Sequence, residues 1–291
     1  MKKLFIVLFV FSSFNIYAQD KPAYILYNSK GEKQSYSQLL ESALINDIIL
    51  FGELHNNAIA HWLQLQLTKD VYNKVKERLI LGAEMLEADN QIVINEYLGK
   101  LITYKTFKAE ARLWNNFETD YKPLLDVAYE NNLKFIATNI PRRYAGIVNN
   151  SGFEGLEKLN DEAKKWIAPL PIKYDANLPG YKKMLEMSAM GNMPGKSNND
   201  NLPKAQAVKD ATMAHFILKN WIKTNIFIHY HGAFHSDNFD GIYWYLKQAQ
   251  KDIKILTIST VEQEDIHSLK EENINKADFI ICVPEDMTKT Y

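Results

Sequence analysis

Residues 48–64 read IILFGELHNNAIAHWLQ, and this stretch decides the fold. Its first four residues form an apolar run that ends at Gly52, a pattern typical of a strand buried on both faces. Glycine allows the backbone to turn, and either of the two asparagines that follow, Asn56 or Asn57, can cap a helix over residues 58–76. The stretch therefore predicts a strand, a polar turn and a helix.

Similar apolar runs recur along the chain, separated by segments with helical periodicity. They are Leu79–Met85, Leu133–Thr138, Asn225–His231, Ile253–Ser259 and Phe279–Val283. Alternating strands and helices predict an α/β fold, with a largely parallel sheet and helices on both of its faces.

The rhythm changes between about residues 153 and 203, where helical pieces at Leu156–Ile167 and Gly180–Ala189 are separated by proline turns. This segment predicts a helical cap inserted into the α/β domain. Methionines and tyrosines, among them Tyr174 and Tyr181, are spaced along it, and such spacing is more often plain core than a cofactor site.

The N-terminus has the pattern of a signal peptide. Two lysines precede an apolar stretch that is too short to span a membrane, and a cleavage site follows near Ala18. We expect residues 1–18 to be removed and residues 19–291 to form an exported domain of the periplasm or cell envelope. No cysteine follows the cleavage site, so no lipid anchor is predicted, and Cys282 lies in an apolar run that predicts a buried thiol.

The chain has 34 basic and 35 acidic residues. This balance gives no electrostatic footprint for nucleic acid.

Polar side chains follow three of the predicted strands. Glu53 and His55 follow the first, Glu84 ends the second, and His229 and His231 lie on one face of a later strand. Because parallel strands present their carboxyl ends at one edge, we expect these groups to converge there. His235 could fold back toward the same place.

Two chemistries suit Glu53, His55, Glu84 and His231. Carboxylates and imidazoles can hold a divalent metal, and without a metal the same groups can act as a general base and its orienting acid. Each of these groups alone could equally be structural.

Other polar residues near this edge have competing interpretations. His61 lies on the predicted helix and is slightly better explained by packing. Arg142 follows a strand and could pair with Glu84 or with an acidic group of a ligand. Gln206 and Asp210 share a helical stripe, for which a solvated face is the default, although an inward orientation would bring them to the same edge.

These residues resemble those of the ChaN-like family of haem-binding, iron-regulated proteins in the Tiki/erythromycin-esterase superfamily. The segments that carry the resemblance are Gly52–Asn57 with His61 and Gln64, Glu84-Met85, Asn139–Arg142, Ala205–Ala214 and His231-Gly232 with His235 and Gly241-Ile242.

The resemblance implies haem binding and a role in haem or iron uptake, with an outer-membrane uptake system as a possible partner and a homodimer as a possible assembly. Haem iron accepts His or Tyr as a ligand. The candidate haem-binding residues are His55, His61, Arg142, Tyr174, Tyr181, His229, His231 and His235. The alternative is an esterase- or peptidase-like hydrolase that uses the Glu53, His55, Glu84 and His231 cluster, with or without a divalent metal.

Overall fold

A computed structural model describes residues 21–189 and 201–291 of the chain. The predicted signal peptide and residues 190–200 of the predicted cap lie outside these residues.

The described residues contain an eight-stranded sheet with the order β2-β1-β8-β7-β3-β6-β4-β5. The strands are β1 Ile25–Asn28, β2 Lys33–Gln34, β3 Ile48–Glu53, β4 Leu79–Glu87, β5 Lys134–Asn139, β6 Ile226–Gly232, β7 Ile255–Gln263 and β8 Phe279–Pro284. The strands from β8 to β5 are parallel, whereas β1 and β2 are antiparallel additions at one edge. The prediction of a largely parallel α/β sheet is confirmed.

Helices cover both faces of this sheet. They are α1 Tyr36–Leu44, α2 Ala58–Val75, α3 Gln91–Leu98, α4 Tyr104–Glu110, α5 Lys122–Asn131, α6 Arg142–Ser151, α7 Asp161–Lys164, α8 Pro179–Ala189, α9 Leu202–Asn220 and α10 Gly241–Ala249. Alternate residues of β3 enter two separate cores, with Ile49 and Phe51 on one face and Ile48 and Leu50 on the other. All four side chains are fully buried, as the apolar run predicts.

The turn from β3 into α2 follows the predicted sequence signals. A Cβ atom at Gly52 would lie 2.8 Å from the Cα atom of Ala233, so only glycine lets these two backbone segments approach. Asn57 caps α2, because its side-chain oxygen accepts the Ala60 N–H at 3.0 Å. The polar turn between the two elements is thereby fixed at the carboxyl edge of the sheet.

Residues 153–189 and 201–203 of the predicted cap are described. The predicted helix Leu156–Ile167 is wrong, because the chain forms a 3₁₀ segment at Phe153–Lys158 and then the short helix α7. Asn160 starts α7 by accepting the Ala163 N–H at 2.9 Å, which separates the two pieces. Within the described ranges, no helix is long and apolar enough to cross a membrane.

Candidate functional site

Three neighbouring strands bring the predicted polar groups together. β6 lies between β3 and β4, and Gly52 is paired with His231 in the parallel register. Glu53 ends β3 and Glu84 lies inside β4, which continues to Glu87. The carboxyl ends of the strands therefore meet at one edge, as predicted.

Glu53 is buried beneath His55 and holds that ring in place. Its Oε1 atom lies 2.9 Å from His55 Nδ1 and accepts the Tyr121 hydroxyl at 2.6 Å, while Oε2 accepts from Gln64 Nε2 at 2.5 Å. Burial alone would raise the pKa of Glu53, but the contacts with His55 and His61 outweigh burial and lower this pKa to about 2. Glu53 is therefore a carboxylate at neutral pH.

His55 faces the edge with its other ring nitrogen. Burial tends to lower the pKa of His55, but the hydrogen bond to Glu53 and the charge of Glu84 raise it overall. The side chain is 34% exposed and meets the Trp114 ring edge-on at 4.9 Å. Nε2 makes no hydrogen bond within the described residues. A Cβ atom at Gly232 would lie only 2.8 Å from Nε2, so a glycine at this position leaves space beside this nitrogen.

His61 lies behind Glu53 and does not reach the edge. Its Nε2 is 3.4 Å from Glu53 Oε2, and its Nδ1 is 3.4 Å from Asp120 Oδ2. The ring is buried against Tyr121, with centroids 5.3 Å apart. This placement agrees with the packing interpretation.

A second charge cluster joins Glu84, His235 and Asp210. Glu84 Oε1 lies 3.1 Å from His235 Nε2, and Glu84 Oε2 accepts the Gly232 N–H at 2.8 Å. The other ring nitrogen of His235, Nδ1, is hydrogen-bonded to Asp210 Oδ1. Burial opposes a charged imidazole, but the two carboxylates raise the pKa of His235 to about 10. His235 is therefore a buried cation.

This cluster decides two questions that the sequence leaves open. His235 does fold back to the edge. Asp210 and Gln206 are buried and face inward, so the default of a solvated face is wrong for this stripe. The physical reason is that Asp210 has two inward partners, His235 and the Tyr181 hydroxyl at 2.7 Å.

His229 and His231 share one face of β6, as predicted, but both are fully buried. Thr138 donates to the Ala83 carbonyl at 2.9 Å, so its oxygen accepts from His229 Nε2 at 2.7 Å. His231 Nδ1 then donates to His229 Nδ1 at 3.0 Å, and His231 Nε2 accepts from Ser236 at 2.8 Å.

This chain of bonds needs both of these imidazoles to be neutral. Burial, followed by the charge of His235, lowers the pKa of His231 to about 3, and burial lowers that of His229 strongly. Both rings are therefore neutral and lie buried below the carboxyl edge of the sheet. Each of their ring nitrogens makes a hydrogen bond.

A crevice of about 720 Å³ opens above these residues. His55, Glu84 and His235 lie on its wall, with apolar contributions from Trp114, Ile140 and Leu202. We call this cavity the crevice. A second cleft of about 630 Å³ shares His55 and His235 with it.

Basic side chains stand at the rim of the crevice. Arg142 pairs through Nε with Glu87 Oε1 at 2.5 Å, and Arg112 takes Glu87 Oε2 at 3.0 Å. The predicted pairing of Arg142 with Glu84 is therefore wrong, because β4 runs three residues further and places Glu87 under the arginine. Arg142 stays 67% exposed and lines the crevice together with Lys209.

The two tyrosines of the predicted cap do not line the crevice. Tyr181 is buried and donates its hydroxyl to Asp210, which raises the Tyr181 pKa together with burial. Tyr174 stacks on Tyr181, with ring centroids 5.6 Å apart, and is half-buried.

Several contributors to the site carry no signal in the sequence. Asp120 and Tyr121 reach Glu53 and His61 from a segment between β4 and β5, and Thr138 and Ser236 fix the buried histidines. None of them lies in a motif, and only the tertiary fold brings them in.

The tail of the chain also closes over this region. The Thr290 N–H donates to the Asn56 carbonyl at 2.9 Å, its hydroxyl donates to Asp120 Oδ2 at 3.0 Å, and Lys289 pairs with Asn57 as an isolated bridge. Tyr291 lines the second cleft. The turn that carries His55 is therefore held from both sides.

The donor groups suit haem better than a bare divalent ion. Among residues 21–189 and 201–291, no group of three or more His, Cys, Asp or Glu side chains could hold a metal ion, so the metal alternative gains no support. The crevice offers His55 Nε2 as a ligand for iron and apolar walls for a macrocycle. Its basic rim residues, Arg142 and Lys209, can pair with the carboxylates.

Comparisons with known proteins agree on the fold. A family model described as "Haem-binding uptake, Tiki superfamily, ChaN" matches residues 39–246. A search of curated proteins finds no match. A solved structure described as cofacial heme binding to ChaN of Campylobacter jejuni is similar, with a TM-score of 0.67, 16% identity, and coverage of 89% of this chain and 96% of that one.

A mutant of the erythromycin esterase EreC, in its open conformation, is also similar in fold. Its TM-score is 0.50 at 11% identity, covering 89% of this chain and 97% of that one.

Proposed function

Since the chain belongs to the ChaN family of the Tiki superfamily, whose model is described as haem-binding uptake, we propose that it binds haem in the crevice. The Campylobacter ChaN structure supports the same ligand by its description. Bound haem would supply an iron centre that accepts a nitrogen ligand.

The observation that carries this proposal is the state of His55. Glu53 takes Nδ1, which leaves Nε2 as the nitrogen that faces the crevice. A carboxylate that orients an imidazole in this way fixes its tautomer and makes the remaining nitrogen a better ligand. The neutral histidines beneath it have both nitrogens occupied, and so does the His235 cation.

The rim residues complete the match. Arg142 uses Nε for Glu87 and its side chain is 67% exposed, so its terminal nitrogens can meet a propionate. Lys209 offers a second cation. Trp114 and Ile140 offer apolar surface to the macrocycle.

We further propose that the protein acts in haem or iron uptake after export to the periplasm or cell envelope. The family description supports uptake, and the N-terminal signal-peptide pattern supports export. An outer-membrane uptake system remains the expected partner class.

The test is a hemin titration of the full chain, followed by the Soret band. Replacing His55 with Ala should weaken hemin binding at the crevice by at least about tenfold, and Glu53→Gln by about 10–100-fold, because the orienting partner is lost. His267→Ala is the matched control, since His267 is an exposed histidine remote from the crevice lining. Circular dichroism checks that each variant is folded.

Binding should also weaken as pH falls. A protonated imidazole cannot ligate iron, and the raised pKa of His55 moves this loss to higher pH than for an ordinary histidine. Equal hemin affinity in wild type and both variants would remove His55 from the site, and no saturable band at all would overturn haem binding.

The Glu53–His55 pair supports a hydrolase as the second candidate. A carboxylate at Nδ1 and a free Nε2 are what a general base needs. On this proposal the chain should hydrolyse a p-nitrophenyl ester, and His55→Ala should slow the reaction by about 10²-fold or more. Equal rates for wild type and His55→Ala would count against it.

A further inference from the structure

A third cavity lies on a different face of α9 from the crevice. It has a volume of about 600 Å³ and lies between residues 168–173, α9 and the end of α10. We call it the α9 groove. It shares no lining residue with the crevice, because Ala205 and Lys209 face the crevice whereas Ala211 and Ala214 face the groove.

The walls of the α9 groove are largely apolar, and alanines and prolines line it together with the larger side chains of Ile172, Leu218 and Tyr245. Ala168 and Pro171 form one side, and Ala211, Ala214 and Ala249 contribute to the other. The small side chains leave room between the larger ones for a flat ring system to pack against the wall.

The charges that line the α9 groove are all positive. Lys173 and Lys219 are exposed and line it, and none of its lining residues is an Asp or a Glu. Lys219 Nζ lies 5.5 Å from the centroid of the Phe216 ring. An apolar body that carries carboxylates is the complementary ligand.

One imidazole also lines the α9 groove. His215 is half-buried, and within the described residues its ring nitrogens make no hydrogen bond. Burial, followed by the charge of Lys219, lowers its pKa, so the ring is neutral at pH 7. A neutral imidazole has a lone pair available for iron.

We propose that the α9 groove is a second binding site for a flat, apolar dicarboxylate of the tetrapyrrole class, with His215 as the iron ligand of haem and with Lys173 and Lys219 as the partners of the two carboxylates. The ligand class rests on the haem binding proposed above, but the site is separate from the crevice and can be tested separately.

The experiment is a hemin titration in the His55→Ala background, in which binding at the crevice is weakened by at least about tenfold. One saturable site should remain, and adding His215→Ala should weaken it by at least about tenfold. In the same background, Lys173→Glu with Lys219→Glu should weaken binding about tenfold, and Ala249→Trp should fill the groove and block it. Lys105→Glu, an exposed charge reversal on α4, is the matched control.

Metal-free protoporphyrin, followed by its fluorescence, separates ligation from docking. For the protoporphyrin site that Ala249→Trp blocks, the two charge reversals should weaken binding as much as they weaken hemin binding, whereas His215→Ala should leave protoporphyrin binding there unchanged. The two lysines are exposed, so these variants stay informative even if His215→Ala were to misfold.

The outcomes keep the two proposals apart. Residual hemin binding in the His55→Ala background that none of the groove variants changes overturns the second site, and so does the loss of all binding with His55→Ala alone. A single wild-type site that His215→Ala removes supports the α9 groove and overturns the crevice. No hemin binding in the wild type overturns both.

Discussion

At the scale of single residues, the site rests on a buried cation between two carboxylates. His235 contacts both Glu84 and Asp210, and all three side chains are buried. Removing one member of such a cluster leaves an unpaired buried charge, which costs about 3–5 kcal/mol. This part of the wall is therefore structural even though it lines the crevice.

The charge of His235 predicts a pH-dependent stability. Its folded pKa of about 10 is above the ordinary value of 6.5, so its contribution is fully present below about pH 6.5 and is lost as pH rises toward 10. The free energy of unfolding should therefore fall between pH 6.5 and 8.5, by up to about 1.4 kcal/mol per pH unit from this group. Urea unfolding measures this slope.

His235→Asn should be less stable and should show a flatter slope, while His267→Asn, a control at an exposed histidine, should keep the wild-type slope. An unchanged slope in His235→Asn would show that other groups set the pH dependence. The range stops at pH 8.5 because Cys282, whose pKa burial raises to about 11, would begin to titrate in the unfolded chain above it.

Residues that end a strand are predictable from sequence, and the partners that fix them are not. Glu53 and His55 follow an apolar run with a clear strand pattern, so their position at the edge of the sheet could be predicted. The pair of carboxylates around His61 depends on Asp120, which lies 59 positions along the chain in a segment without a motif. Local pattern carries no information about such a partner.

At the scale of elements, one side chain caps a helix other than its own. Asp240 stands directly before α10 but makes no side-chain capping bond to it. Its Oδ2 instead accepts the N–H of Gly180 at 2.8 Å, in the first turn of α8.

The residue after Asp240, Gly241, has a φ angle of +51°. A Cβ atom at Gly241 would lie 2.3 Å from the His235 carbonyl oxygen.

Asp240→Ala should therefore loosen α8 more than α10. We expect a loss of about 1 kcal/mol, typical of a lost cap, and faster amide hydrogen exchange confined to α8 and its neighbours. Asp252→Ala, at an exposed aspartate after α10, is the control. Equal exchange rates in α8 of wild type and Asp240→Ala would rule out this capping role.

Elements with a cap and a clear apolar stripe could be predicted closely, and others could not. α2 begins at Ala58, as its asparagine cap predicts. The predicted helix Leu156–Ile167 failed because a continuous helical pattern does not reveal that Asn160 starts a new turn. The solvated face predicted for Gln206 and Asp210 on α9 was wrong because Asp210 has buried partners, His235 and Tyr181, on other parts of the chain.

At the scale of the whole molecule, the alternation of apolar runs and helices predicts the class of the fold. It does not predict the order of the strands in the sheet. β3 lies between β7 and β6, and both pairings join strands more than 170 residues apart. The two-residue strand β2 is too short to leave a periodic signal.

The end of the chain lies against the turn that carries His55, where Thr290 contacts Asn56 and Asp120, and Tyr291 lines the second cleft. A polyhistidine affinity tag fused after Tyr291 would place a row of imidazoles beside that cleft, and those imidazoles can themselves bind hemin. Absorbance measured on such a preparation would then report the tag as well as the protein.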